Sequence, residues 1–110
     1  EGKVEAKMPL AAEHKQYSGV IHGGVVAALA DTIAGFAAYT VTPVNLDVLT
    51  AELKVSFLRG AWGNELIAKG ILIKAGRRVH FSECEIHCDD VMVAKASGTF
   101  CIVNEYIKPD

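Results

Sequence analysis

An aspartate stands alone in a long apolar stretch in the first half of the chain. The segment from Val25 to Val41 reads VVAALADTIAGFAAYTV, and Asp31 is its one charged residue. A helix that is apolar on all sides belongs in a core or in a membrane. The membrane interpretation fails, because a span needs about 20 apolar residues and an acid near its centre is costly. Asp31 is therefore a functional-site candidate, with a position on one exposed helix strip as the alternative.

The residues that lead into this segment carry a second chemical feature, a helix start without a side-chain cap. His22, Gly23 and Gly24 precede Val25, so no Ser, Thr, Asp or Asn stands directly before the helix. The first N–H groups of a helix lack intrahelical partners, and glycines let an outside group approach the backbone. Such a helix end suits a carbonyl oxygen that gains negative charge. Glycines that serve only a tight turn are the alternative.

The spacing of these two features limits how they can cooperate. Asp31 follows His22 by nine residues, which corresponds to about 13.5 Å of helical rise. Asp31 is therefore too far away to act on an atom held at the start of its own helix. If both groups serve one substrate, two copies of the chain must share the site, and two-fold symmetry with antiparallel helices would give two equivalent sites.

Composition narrows the class of protein. The chain has 110 residues, of which 51% are hydrophobic, and a net charge of −2. We expect one domain, 1–110, that closes some apolar surface against another subunit and does not bind nucleic acid or an anionic membrane. Three cysteines and no signal-like segment favour the reducing cytoplasm. The chain opens at Glu1 rather than Met, which leaves open a short upstream segment and a targeting peptide within it.

Alternation and turn residues predict the order β-α-β-β-β-β, a long helix against a mostly antiparallel five-stranded sheet, which is an α+β fold. The helix should fade near Pro43. A first strand of about seven residues lies within Val4–Leu10, and the later strands are Leu49–Phe57, Glu65–Lys74, Val79–Cys88 and Val91–Val103.

In the second strand the period of two places apolar residues on one face and polar residues on the other. The apolar set is Leu49, Ala51, Leu53, Val55 and Phe57. The polar set is Thr50, Glu52, Lys54 and Ser56.

Three segments together resemble the hotdog-fold thioesterases of the phenylacetate-pathway (PaaI) type. They are HGGVVAALADT from His22, the strand end VSFLRGAWGNEL and the hairpin KAGRRVHF, and the similarity runs from about Val4 to Val103. The resemblance implies a sheet wrapped around the central helix and a dimer with a continuous sheet, often paired into a tetramer. It also implies hydrolysis of acyl-coenzyme A thioesters, with no cofactor.

The resemblance assigns catalytic roles residue by residue. Asp31 matches the carboxylate that acts as general base or nucleophile, and Gly23 matches the residue whose N–H polarises the thioester carbonyl. His22 matches the neighbouring loop histidine, and Thr50 falls where a Ser or Thr helps to hold the attacking water. Gln16 stands where the family commonly has an Asn, so its longer side chain could alter the alignment, and a plain loop role is the alternative.

A basic group near the entrance is expected, because coenzyme A carries phosphates. In the family, the segments that match Phe57–Trp62 and Lys74–Val79 line the nucleotide side. The candidate residues are Arg59, Lys74, Gly76, Arg77 and Arg78. A solvated hairpin is the alternative for any one of these arginines.

Other chemistries fit the sequence less well. His80, Cys84 and Cys88 lie along one strand, and four residues of strand span about 13 Å, so they cannot share a zinc ion. We expect no metal site. The motifs of the dehydratases and hydratases on the same fold are absent. A hotdog module that binds acyl-CoA without turnover is the alternative from another functional class.

Overall fold

The computed structural model describes residues 1–11, 14 and 21–104. The order β-α-β-β-β-β is confirmed, and every predicted strand is present. The helix begins at Gly23 and ends at Tyr39, four residues before Pro43, near which it was expected to fade. The elements are β1 (Lys3–Pro9), α1 (Gly23–Tyr39), β2 (Asp47–Phe57), β3 (Glu65–Ala75), β4 (Val79–Cys88) and β5 (Val91–Val103).

The five strands form one sheet in the order β1-β3-β4-β5-β2, and every neighbouring pair is antiparallel. The helix lies across one face of this sheet and touches all five strands. The α+β hotdog architecture expected from the sequence is therefore present. Two hairpin turns, at 76–78 and 89–90, connect the three central strands.

Small residues let the helix approach the sheet closely. Ala30, Ala34, Ala37 and Ala38 are fully buried in α1. On β3, a Cβ added to Gly70 would lie 2.7 Å from the carbonyl oxygen of Ile33. Because real Cβ atoms do not approach backbone that closely, the helix packs against a strand position that only glycine can fill.

The second strand departs from the predicted alternation. A β-bulge at Ala51 shifts the register against β5, so that Thr50 lies opposite Phe100 and Glu52 opposite Thr99. Residues directly opposite in antiparallel strands share a face, so Thr50 joins Leu53 and Val55 on the helix side and Leu49 turns away. The prediction that Leu49 and Ala51 share a face with Leu53 is wrong, because one inserted residue reverses the pattern before it.

Several large apolar residues on α1 and at the end of β2 are exposed. Phe36 and Tyr39 on α1, and Phe57 and Leu58 at the end of β2, are about half exposed. The helix is therefore not enclosed on all sides within one chain, as an apolar helix normally would be. In the part of the chain that the structure describes, no helix is long and apolar enough to cross a membrane.

Candidate active site

Asp31 lies on the side of α1 that faces the start of β2, and it is partly buried. The Thr50 hydroxyl donates a hydrogen bond of 2.8 Å to Asp31 Oδ1. The bulge at Ala51 makes this contact possible, because it directs Thr50 to the helix side of the sheet. A carboxylate with one oxygen held in this way keeps its second oxygen available for a proton or a carbon atom.

A cavity of about 400 Å³ opens beside this carboxylate. Its polar lining consists of Asp31, Thr32, Asp47 and Thr50, and its apolar lining includes Phe36, Tyr39, Val48 and Phe100. Cavities that bind small molecules combine an apolar lining with a few polar groups in this manner. The apolar lining could not be found from sequence periodicity, because its members lie on three different elements.

The start of α1 has the open geometry predicted for it. His22 is the N-cap residue, and no side chain caps this end in the described part of the chain. The carbonyl oxygen of His22 accepts the N–H groups of Val25 and Val26, whereas the N–H groups of Gly23 and Gly24 precede the first possible intrahelical bond. The Phe57 ring lies 3.6 Å from the position of a Cβ on Gly23, which ties the helix start to the end of β2.

Asp31 and Gly23 do not meet within one chain. Eight residues of helix separate them, a rise of about 12 Å. Gly23 lines a second cavity, of about 340 Å³, with Phe57 and Arg59, and Asp31 does not border it. One chain therefore holds the acid and the open amides in two separate cavities, as the spacing in the sequence predicted.

Hydrogen bonds join His14 to Ala11 and to His22, the residue before the helix. The His22 N–H donates to the His14 carbonyl oxygen at 2.9 Å, and the Ala11 N–H donates to His14 Nδ1 at 2.9 Å. The Ile21 N–H donates to the Ala61 carbonyl oxygen. His14 is thus a positioning residue that the sequence analysis did not identify. Gln16 lies outside the described residues.

The proposed basic group is divided between the two ends of the sheet. The Arg59 N–H donates to the Val93 carbonyl oxygen, and the Arg78 carbonyl oxygen accepts the Ile102 N–H. Val93 and Ile102 are nine residues apart on β5, which is about 30 Å of strand. Within one chain Arg59 is therefore far from Arg78 and its neighbours Lys74, Gly76 and Arg77.

The sequence of this chain matches the model of a known protein family. The family model described as "Thioesterase superfamily" matches residues 18–95. The chain belongs to the thioesterase superfamily. The matched segment includes the helix start, Asp31 and Thr50, which are the parts of the site described above.

One curated relative and two solved structures are similar to this chain. The medium/long-chain acyl-CoA thioesterase YigI of Salmonella typhimurium is 28% identical over 76% of this chain, which spans 63% of the length of that protein. A thioesterase family protein from Silicibacter pomeroyi superposes with a TM-score of 0.91 at 28% identity, over 94% of this chain and 79% of that one. A Bacillus halodurans protein crystallised with CoA shares the fold, with a TM-score of 0.87 at 23% identity over 93% and 68% of the two chains.

Strand β4 carries two cysteines and a histidine that are buried, Cys84, Cys88 and His80. Burial raises the pKa of the Cys84 thiol to about 11 and also raises the pKa of Cys88. Thiols are nucleophiles only as thiolates, so neither cysteine is activated at neutral pH. Burial lowers the pKa of His80. Cys84 and Cys88 are core residues.

Proposed function

We propose that this chain hydrolyses acyl-CoA thioesters, with Asp31 as the catalytic carboxylate. The observation that carries the proposal is the hydrogen bond from Thr50 to Asp31 beside an apolar cavity. That arrangement occurs in a chain of the thioesterase superfamily, and its relatives include a named acyl-CoA thioesterase. The crystal structure of the B. halodurans protein with CoA adds support for a CoA ester as the ligand.

Hydrolysis of a thioester needs a carboxylate and a hydrogen-bond donor to the carbonyl oxygen, and Asp31 and the Gly23 N–H would supply them. In the general-base route Asp31 takes a proton from water while the water oxygen bonds to the thioester carbon. Negative charge builds on the carbonyl oxygen, which the Gly23 N–H at the positive helix end stabilises. The carbon–sulfur bond then breaks, and CoA leaves as a thiolate, a good leaving group. In the nucleophilic route Asp31 itself bonds to the thioester carbon, the carbon–sulfur bond breaks and CoA leaves as a thiolate, and water then cleaves the resulting anhydride to release the acid and restore Asp31.

The two halves of the site come together if two chains pair along β2. In the described part of the chain β1 and β2 are the edge strands. β1 has 7 residues and ends in Pro9, whereas β2 has 11 residues and no proline. A long edge strand without proline can serve as a template for pairing with another chain. β2 is therefore the edge that we assign to a homodimer with a continuous sheet.

The positions of Gly23 and Asp31 define the pairing. Thr50 bonds Asp31, and Phe57 contacts Gly23 in the same chain. Antiparallel pairing with Phe57 of one copy opposite Thr50 of the other brings Gly23 of the partner subunit to Asp31. Because the bulge at Ala51 adds one residue between Thr50 and the middle of β2, the symmetry axis then passes close to Lys54, and each dimer holds two complete sites. His22 of the partner subunit accompanies Gly23.

The same pairing unites the basic residues. It places Arg59 of the partner subunit opposite Val48, which pairs with Ile102 beside the Arg78 backbone. Arg59 from one chain and Lys74, Gly76, Arg77 and Arg78 from the other would then contact the CoA phosphates together. The PaaI subtype, the pairing of two dimers into a tetramer, the role of Gln16 and the cytoplasmic location belong to this proposal as further expectations.

Thiol release tests the proposal directly. Wild-type protein is incubated with a panel of acyl-CoAs and a thiol-reactive dye, and Asp31→Asn is measured beside it. We expect turnover by wild type, loss of most of that turnover in Asp31→Asn, and an unchanged affinity for a non-hydrolysable CoA thioether. An Asp31→Asn variant as fast as wild type contradicts the role of Asp31. Binding by wild type without thiol release would favour the module that binds acyl-CoA only.

A further inference from the structure

The cavity beside Asp31 is closed at its inner end by one aromatic ring. Phe100 on β5 lines this cavity and is 1% exposed, the largest side chain that is fully buried. It lies directly opposite Thr50 on β2, so the ring is one strand further into the core than the catalytic hydrogen bond. The Phe100 side chain therefore separates the cavity from the interface between α1 and the sheet.

Two glycines hold this ring in place by lacking side chains. A Cβ on Gly98 would lie 2.6 Å from Phe100 Cε2, far inside contact distance, so the ring lies directly over that glycine. On the other side, a Cβ on Gly35 of α1 would lie 3.5 Å from Cε1. The ring is therefore enclosed between a strand glycine and a helix glycine, and close packing leaves it one position.

Polar atoms lie on the far side of the ring. His80 and Ser82 on β4 pair with Phe100 and Gly98 across the sheet. Both side chains are buried, and both ring nitrogens of His80 and the Ser82 hydroxyl lack hydrogen-bond partners among the described residues. A chain that passed the ring would meet these groups rather than further apolar wall.

The burial of Phe100 indicates which end of the substrate lies against it. The pantetheine arm of a CoA ester has to leave the protein for solvent, so a fully buried wall next to Asp31 can border only the acyl group. We propose that Phe100 is a specificity-determining residue that sets the maximum length of the acyl chain. This inference rests on the proposed thioesterase function and extends it to the acyl group, which the residues around Asp31 alone do not define.

The experiment compares acyl-chain length profiles. Values of kcat/KM are measured for saturated acyl-CoAs from butanoyl to hexadecanoyl with wild type, Phe100→Leu and Phe100→Ala. We expect wild type to lose activity beyond a limiting length, and Phe100→Ala to gain roughly tenfold or more on the first chains beyond that limit relative to short chains. Phe100→Leu, which retains most of the buried volume and is the safer variant to fold, should shift the profile in the same direction by less.

Leu66→Ala is the matched control. Leu66 is also fully buried, on β3, and does not line this cavity. Its truncation should lower activity on all chain lengths by the same factor, as a general loss of core packing would.

The outcomes separate the two proposals. No thiol release by wild type on any ester contradicts the proposed function itself. An active wild type whose length profile is unchanged in folded Phe100→Leu, or is changed equally by Leu66→Ala, overturns the role of Phe100 alone.

Discussion

At the scale of single residues, the contact that defines the site joins Asp31 to Thr50 across 19 positions of sequence. Thr32, next to Asp31 in the chain and in the same cavity, uses its hydroxyl differently. It donates to the Ala28 carbonyl oxygen one turn earlier in the helix. Two threonines near one carboxylate therefore make different hydrogen bonds, and of these two only Thr50 bonds the proposed catalytic carboxylate.

Replacing Thr50 by Val tests that distinction. The variant keeps the shape of the side chain and removes a hydrogen bond to a charged group, which is worth about 1.5–3 kcal/mol. We expect kcat to fall by about tenfold to a hundredfold. Thr32→Val is the control and should retain wild-type kcat. Steady-state kinetics on one acyl-CoA measures both variants, and equal losses in the two would contradict the special role of Thr50.

His80 makes stability depend on pH. Its pKa is lowered in the folded protein by burial, so below about pH 6.5 the unfolded chain takes up a proton that the folded chain does not. The free energy of unfolding should therefore fall as the pH decreases from 7.5 to 5.5.

His80→Leu should reduce this acid sensitivity. The substitution removes two buried nitrogens that have no hydrogen-bond partner among the described residues, at similar volume, so it should also leave stability at pH 7.5 unchanged or raise it by about 1 kcal/mol. Urea unfolding at both pH values measures the effect. The same loss of stability on acidification in variant and wild type would show that another group is responsible.

At the scale of elements, the start of α1 offers a test of the backbone amide itself. Gly23 is the first helical residue, where proline is well tolerated. His22 has ψ 134°, a value that the residue before a proline adopts readily. Gly23→Pro therefore removes one N–H while the helix and its entry stay compatible.

We expect Gly23→Pro to lower kcat by about a hundredfold to a thousandfold, as the loss of a single donor to an oxyanion does. Gly23→Ala keeps the N–H and adds a Cβ at an ordinary 3.6 Å contact with Phe57, so it is the matched control. It should retain most activity. Equal activity of the two variants would show that the Gly23 amide does not contact the reacting carbonyl.

At the scale of the whole molecule, the proposed division of the site between two chains has a distinctive consequence. Mixed dimers of Asp31→Asn and Gly23→Pro chains contain one site built from two wild-type halves and one built from two altered halves. Random mixing makes half of the dimers mixed, so activity should return to about a quarter of wild type. Each variant alone should remain nearly inactive.

The measurement is thiol release after the two variants are unfolded and refolded together. Refolding each variant separately and combining the products afterwards is the control. A site contained within one chain would give no recovery at any mixing ratio. An active wild-type monomer, detected by sedimentation, would contradict the shared site independently.

Local pattern in the sequence determined most of the fold and two parts of the site. Alternation and turn residues predicted the strands, and the apolar run with one acid predicted α1 and Asp31. The missing cap before Gly23 was likewise visible, and nine residues of spacing showed that His22 and Asp31 cannot cooperate in one chain. The positions of the strands, the helix and Asp31 depend on residues close together in the sequence, so the spacing of apolar residues in helix and strand is sufficient to predict them.

Tertiary structure decided the rest. A one-residue bulge at Ala51 turns Thr50 toward Asp31, and the pairing of β5 with its neighbours sets the Phe100 ring between Gly35 and Gly98. The sheet also separates Arg59 from Arg78. Each of these facts depends on register between distant strands, where a shift of one residue moves a side chain to the opposite face. The alternation of apolar and polar residues within one strand does not indicate its register against another strand, so the register is known only from the folded structure.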